Sequence, residues 1–159
     1  EIPESIKNPI YPRYGHTTLE YNNKIYIYGG NFEKTGINDL LIFDILNLTF
    51  SSPEKMFNYR EVSKRYFHTA VKIKNYMLIQ GGRSLQEQNY LNLEISEKEN
   101  FLSDIFLFNF QNNTWEKVNY SGEQFNKVSN HSSVVAIPEN KLISKFFSFF
   151  NNNNWYIIL

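Results

Sequence analysis

Cysteine is absent from this 159-residue chain, which excludes disulfide scaffolds, thiolate–zinc modules and cysteine nucleophiles. An excess of either charge is missing too, since 16 Lys plus Arg balance 16 Asp plus Glu. A surface built for nucleic acid or anionic lipid needs surplus Lys and Arg, so neither partner is expected. Long apolar runs are also lacking. The Phe- and Ile-rich tail from Leu142 to Leu159 is broken by Lys145 and by Asn151 to Asn154, whereas a bilayer span takes about 20 mostly apolar residues. The chain opens on Glu1 with Pro3, Pro9 and Pro12, not on a basic and then apolar leader. No phosphate loop, serine nucleophile elbow or helical His-Glu-x-x-His occurs. The expectation is a soluble, cytoplasmic, non-enzymatic segment of a larger protein, with no cofactor and no membrane or nucleic-acid partner.

What the chain does have is aromatic side chains: 14 Phe, 11 Tyr and 2 Trp, 17% of all residues, too many for a disordered chain. Asn is abundant as well, with 22 copies. Together with frequent Lys, Ile, Tyr and Phe, this is the bias of an AT-rich coding sequence, so isolated Asn residues carry little functional weight. The Asn-x-Ser/Thr triplets at Asn47, Asn112, Asn119 and Asn130 are accordingly not read as glycan sites.

An internal repeat dominates. Arg13-Tyr14-Gly15-His16-Thr17-Thr18 recurs 52 residues later as Arg65-Tyr66-Phe67-His68-Thr69-Ala70. The same offset carries Ile25-Tyr26-Ile27-Tyr28-Gly29-Gly30 onto Met77-Leu78-Ile79-Gln80-Gly81-Gly82. Asn38-Asp39-Leu40 then matches Ser103-Asp104-Ile105 at an offset of 65, which places 13 extra residues inside Arg83 to Leu102. Eleven residues past each Asp stands an aromatic, Phe50 in one copy and Trp115 in the other. A third copy starts at Asn130-His131-Ser132-Ser133 and runs to Lys141-Leu142-Ile143, but Phe146-Phe147 stand where the Gly pair belongs.

Each copy reads as four short strands. In the first they are Thr17 to Tyr21, Ile25 to Tyr28, Leu40 to Asp44 and a piece around Phe50. In the second they are Ala70 to Ile73, Met77 to Gln80, Ile105 to Phe110 and Trp115 to Val118. Asn and Gly pairs supply the turns. The second and third strands are bulky and apolar in both phases, as strands covered on both faces are. Small antiparallel sheets stacked side by side and repeated radially meet that condition.

These residues resemble the kelch-repeat β-propellers, whose pattern is Arg and His at the repeat start, a strand ending in a Gly pair, then Asp-Leu, then an aromatic after a short turn. The resemblance covers Arg13 to Phe50 and Arg65 to Trp115. It implies an all-β fold, a partial propeller of two to three four-stranded antiparallel blades, and a role in binding other proteins. The expected organisation is a leader or end of a preceding blade over 1–12, a first repeat over 13–64, and a second over 65–129 with an inserted loop at 83–102. The start of a degenerate third follows over 130–143, and a divergent Phe- and Asn-rich tail over 144–159. Propellers close with about 4–8 blades, so further blades or another chain are expected to complete the ring.

Within the resemblance, His16, Gly29, Gly30, Asp39 and Phe50, with His68, Gly81, Gly82, Asp104 and Trp115, are the structural signature. His16, His68 and His131 share one repeat phase and could converge on a metal. They are read instead as structural hydrogen-bonding groups, because the pattern itself uses that position and no carboxylate ligands accompany them. Arg13 and Arg65 could pair with Asp39 and Asp104 or meet a partner's carboxylate. With Tyr14, Tyr66 and, from the insertion, Arg83, Glu87 and Tyr90, they form the expected protein-contacting set, since Tyr and Arg are enriched at interface hot spots. The Gly pairs lack Gly-x-Gly spacing and a following helix, and are read as special turns at close blade contacts. Some kelch propellers belong to copper oxidases, which need a Cys–Tyr crosslink that this chain cannot form. Others accompany a phosphatase, and an accessory role beside a catalytic domain is the alternative reading.

Overall fold

The computed structural model describes residues 10–85, 99–119, 126–136, 145–149 and 155–158. In the first repeat, β1 (Thr17–Tyr21) and β2 (Lys24–Tyr28) are joined by Asn22-Asn23, both left-handed at φ 51° and 59°. Two such residues give the turn whose twist matches that of paired strands. After Gly29-Gly30 comes a small hairpin, β3 (Asn31–Phe32) with β4 (Thr35–Gly36). Then β5 (Leu40–Asp44) returns beside β2 with Tyr26 opposite Ile42, and β6 (Thr49–Ser51) sets Phe50 opposite Phe43. The result is one antiparallel sheet, β1-β2-β5-β6, with the hairpin projecting from its middle.

The second repeat reproduces this plan. Its strands are β7 (Thr69–Ile73), β8 (Tyr76–Gln80), β9 (Arg83–Leu85), β10 (Glu99–Phe101), β11 (Ile105–Asn109) and β12 (Thr114–Lys117). Here β7-β8-β11-β12 form the sheet and β9-β10 the projecting hairpin. The extra residues of the second copy therefore fall in sequence between the two strands of this hairpin. Residues 86–98, Glu87 and Tyr90 among them, lie outside the described residues.

A third sheet holds β13 (Ser132–Ala136), β14 (Lys145–Phe149) and β15 (Trp155–Ile158) in that order. The stretch 144–159, which departs from the repeat in sequence, thus supplies two of its strands. Lys141–Ile143, where the repeat pattern places a second strand, lies outside the described residues.

The blades stack because each sheet has two apolar faces. Tyr26, Tyr28 and Leu40 of the first sheet, with Leu19, Tyr21 and Ile42, pack against Met77, Ile79, Phe106, Phe108 and Trp115 of the second. Tyr28 lies 4.8 Å from the Trp115 ring, and Tyr21 stacks on Phe110 at 4.4 Å. Burying each of these large side chains contributes about 1.5–3 kcal/mol. The opposite face of the second sheet, with Val71, Leu78 and Ile105, meets Val135 of the third. The connection between blades 1 and 2 also seals a strand edge. Phe57 donates its N–H to the Asn113 carbonyl and accepts from Trp115 N–H, both at 3.0 Å, which covers part of β12. On the outward face of blade 1, Ile25, Ile27, Phe43 and Phe50 are half-buried, and no further sheet among the described residues lies on them. No helix among the described residues is long and apolar enough to cross a membrane.

Candidate protein-binding face

The recurring Arg and Asp hold the inside of each blade. Arg65 is wholly buried, donating to both Asp104 oxygens at 2.8 and 3.1 Å, to the Gly81 carbonyl at 3.1 Å and to the Ser63 carbonyl at 3.2 Å. Its guanidinium also sits 5.5 Å from the centre of the Phe106 ring. Arg13 repeats the fork with Asp39 and the Gly29 carbonyl. The expectation that these arginines contact a partner is therefore corrected. Their donors face their own blade, where a two-pronged charge-assisted pair ties the repeat's start to the loop before its third strand.

The histidines fasten blade to blade. His68 Nε2 lies 2.8 Å from Thr17 Oγ1 of the preceding blade, and His131 Nε2 lies 3.0 Å from Thr69 Oγ1. The Gly pair serves the same joint: Gly30 N–H donates to the Arg65 carbonyl at 2.9 Å and Gly82 N–H to the Val128 carbonyl at 2.7 Å. Sequence reasoning singled out the histidines and passed over their hydroxyl partners. The signal was present, as a Thr or Ser follows each of the three.

Burial favours the neutral imidazole in this joint. Desolvation, then the Arg65 charge and the other two histidines, holds His68 well below its ordinary value. Desolvation lowers His131 to about 4. Both folded values lie below the unfolded one, so this stabilisation is complete above about pH 6.5 and is lost as pH falls towards the folded values. Each imidazole is expected to cost about 1 kcal/mol per pH unit in that window. Urea unfolding at pH 7.5, 6.5 and 5.5 checks this, and His68→Gln should make the decline shallower by one proton's share. An unchanged slope in that variant would refute the assignment.

One end of the blades displays a different set of groups. There the turn of each blade start pairs with the projecting hairpin: Tyr14 with Asn31, and Tyr66 with Arg83. Successive turns are stitched together by Phe67 N–H to the Gly15 carbonyl at 2.7 Å and Asn130 N–H to the Phe67 carbonyl at 3.1 Å. All three linking residues are left-handed, with φ 67° at Gly15 and 54° at both Phe67 and Asn130. That is a strained setting for a bulky side chain such as Phe67. Tyr14 is 53% exposed and rests edge-on against buried Tyr66 at 6.3 Å and tilted against Phe67 at 5.8 Å. Arg83 spans the Phe67 and Phe101 rings at 5.6 and 5.2 Å while its Nε donates to Ser129 Oγ at 3.0 Å. Exposed Tyr11 stacks on Phe32 at 4.9 Å. Of the expected partner-contacting residues, Tyr14 and Arg83 come together here, whereas Tyr66 lies beneath Tyr14 as its support. Phe101 and Tyr11 join them unanticipated, because neither falls on a repeated landmark.

Stacked four-stranded blades, fastened by Arg–Asp forks and His–Thr bonds and carrying aromatic turns at one end, define a β-propeller segment of the interaction-scaffold kind. The sequence model of the KLHDC2/KLHL20/DRC7 Kelch-repeats domain matches residues 1–155, and the chain belongs to that family. Among similar proteins, the Rho GTPase-activating protein gacHH of Dictyostelium discoideum is 32% identical over 108 residues, 67% of this chain and 6% of that protein. A probable serine/threonine-protein kinase of the same organism is 30% identical over 74 residues, 46% of this chain and 6% of its own length. The leucine-zipper-like transcriptional regulator 1 homolog of Drosophila melanogaster is 27% identical over 127 residues, 80% of this chain and 12% of its own. The chain thus spans only 6–12% of the length of these relatives.

Proposed function

We propose that the chain is a non-catalytic, cytoplasmic protein-binding module whose contact surface is the end formed by Tyr11, Tyr14, Arg83 and Phe101. The observation that supports this most is the exposure of Tyr14 over a buried aromatic base, next to an Arg held between two rings. Rigid aromatics with little conformational freedom to lose, beside a guanidinium, are the groups on which interface energy concentrates. The test is quantitative affinity capture with the wild type and with a Tyr14→Ala/Phe101→Ala variant. Loss of a defined partner by at least tenfold, with an unchanged melting temperature, is expected. Capture of the same proteins by both forms would refute the reading.

A second reading is favoured by the names of two relatives, a GTPase-activating protein and a probable kinase, in which the matched segment is a small fraction of a long chain. On this reading the module serves as an accessory recognition unit within a larger signalling protein, and its surface selects what the neighbouring domain acts upon.

A further inference from the structure

Ser52-Pro53 is the one place in the sequence where a hydroxyl residue directly precedes proline; the other prolines follow Ile2, Asn8, Tyr11 and Ile137. Glu54 comes next, and Lys55 stands third after the serine. The pair opens the connection between the first two blades. The backbone is paired up to Ser51, opposite Ile42, and pairs again at Phe57, beside Thr114. Between those points 52–56 belongs to no strand or helix, and Ser52, Glu54 and Lys55 are all exposed. Pro53 accounts for where β6 stops, since it has no N–H to give to a ladder. The same ring biases Ser52 towards extended backbone.

These are properties that a phosphoryl-transferring enzyme requires of a substrate. The serine must stand far enough from the body of the protein for its Oγ to enter a cleft. A stretch outside the sheets follows such a cleft without any blade having to open. Pro at the next position presents an apolar ring and no N–H to be left unbonded in an apolar subsite. The Lys55 ammonium presents three donors to an anionic one.

We propose that Ser52 is a phosphorylation site for a proline-directed serine/threonine kinase, presented by the folded protein on the connection between blades 1 and 2. In the reaction the Ser52 Oγ bonds to the γ-phosphorus of MgATP as the bond to the bridging oxygen breaks. ADP leaves, and the hydroxyl proton passes to the kinase. The product carries about −1.5 to −2 charges at pH 7. The strand order β1-β2-β5-β6 sets the end of β6 three strands from the edge that carries the Tyr14 turn, a span of about 14 Å. Salt screens charge over about 8 Å, so the phosphate marks the rim of blade 1 and leaves the aromatic end unaltered. The seal on β12 persists as well, because Phe57 makes it through backbone N–H and carbonyl groups. The inference does not rest on what the Tyr14 end binds.

Incubating the folded chain with a proline-directed kinase of the cyclin-dependent class and MgATP, followed by intact mass and peptide mapping, tests the site. One phosphoryl group at Ser52 is expected, at a rate within about tenfold of that for a synthetic peptide of residues 47–59. Ser52→Ala should abolish incorporation, Pro53→Ala should slow it by about tenfold or more, and Ser51→Ala should do neither. The modified protein should melt at the same temperature as the unmodified one. Modification of the peptide but not of the folded chain would overturn the proposal, since the fold would then withhold the serine. Incorporation that survives Ser52→Ala, a failure to modify either substrate, or a lower melting temperature after modification would overturn it too.

Discussion

Replacing Arg65 with alanine is expected to destabilise the protein by about 3 kcal/mol, whereas the equivalent change at Arg13 should cost only about 1 kcal/mol. The two residues share a repeat position and a carboxylate partner, so the difference lies in their surroundings. The Arg65 side chain is wholly inaccessible and that of Asp104 is 22% exposed. Removing the guanidinium leaves a largely desolvated carboxylate, an unpaired Gly81 carbonyl and a hole beside Phe106. In blade 1 the Asp39 side chain is 38% exposed, so water can replace much of what Arg13 supplies. Arg65→Lys should recover only part of the loss, because a point ammonium cannot span both carboxylate oxygens. Urea unfolding of the three variants measures this. Equal losses for Arg65→Ala and Arg13→Ala would show that the pair acts locally and that blade position is irrelevant.

That contrast marks what the sequence could and could not disclose. Strand positions were legible because two independent signals coincided at each one. The both-faces apolar pattern of Ile25 to Tyr28 and Ile105 to Phe108 marked buried strands, and Asn or Gly pairs at fixed offsets marked their ends. The observed strands begin or end within one residue or so of those bounds, as at Thr17–Tyr21 and Leu40–Asp44. The Arg–Asp pairing was likewise visible as one of two options, since both partners recur in the two full copies. The choice between a structural and a partner-facing Arg depended on burial, which residue type alone does not encode.

Two further features lay beyond repeat logic. The exposed cluster at the Tyr14 end draws on Tyr11, Phe32 and Phe101, which have no counterpart in the other copy, so periodicity gave them no weight. The strands at 145–149 and 155–158 were obscured for the opposite reason. Their residues break the motif, so the repeat places no strand there, although backbone pairing needs only an extended chain with a neighbour. A repeat signature records the contacts that every blade makes. It is silent on those made once, and in a binding module the contacts made once are the ones that choose the partner.

The largest effect of any single methyl group should come from Gly29→Ala. Gly29 is left-handed at φ 65°, and a Cβ there would stand 2.6 Å from the Arg65 carbonyl oxygen and 3.0 Å from His68 Cε1. Neither obstacle is a flexible side-chain end. The first is backbone already engaged by Gly30 N–H, and the second belongs to the ring bonded to Thr17. The left-handed backbone alone costs Ala about 1 kcal/mol, and relief of the clash requires blade 2 to move away from blade 1. That motion breaks the His68–Thr17 bond and loosens Tyr28 from Trp115, so a total loss of about 3–5 kcal/mol is expected. Gly36→Ala is the control, because the nearest atom to its Cβ would be the side-chain Cβ of Lys64 at 3.4 Å and its φ is not left-handed. Trp115, 1% exposed within this joint, reports the outcome directly. Gly29→Ala should redden its emission under native conditions and lower the unfolding midpoint, and Gly36→Ala should do neither. A Gly29→Ala protein with native emission and midpoint would mean that the blades do not meet at the Gly pair, and the account of how this repeat stacks would have to be abandoned.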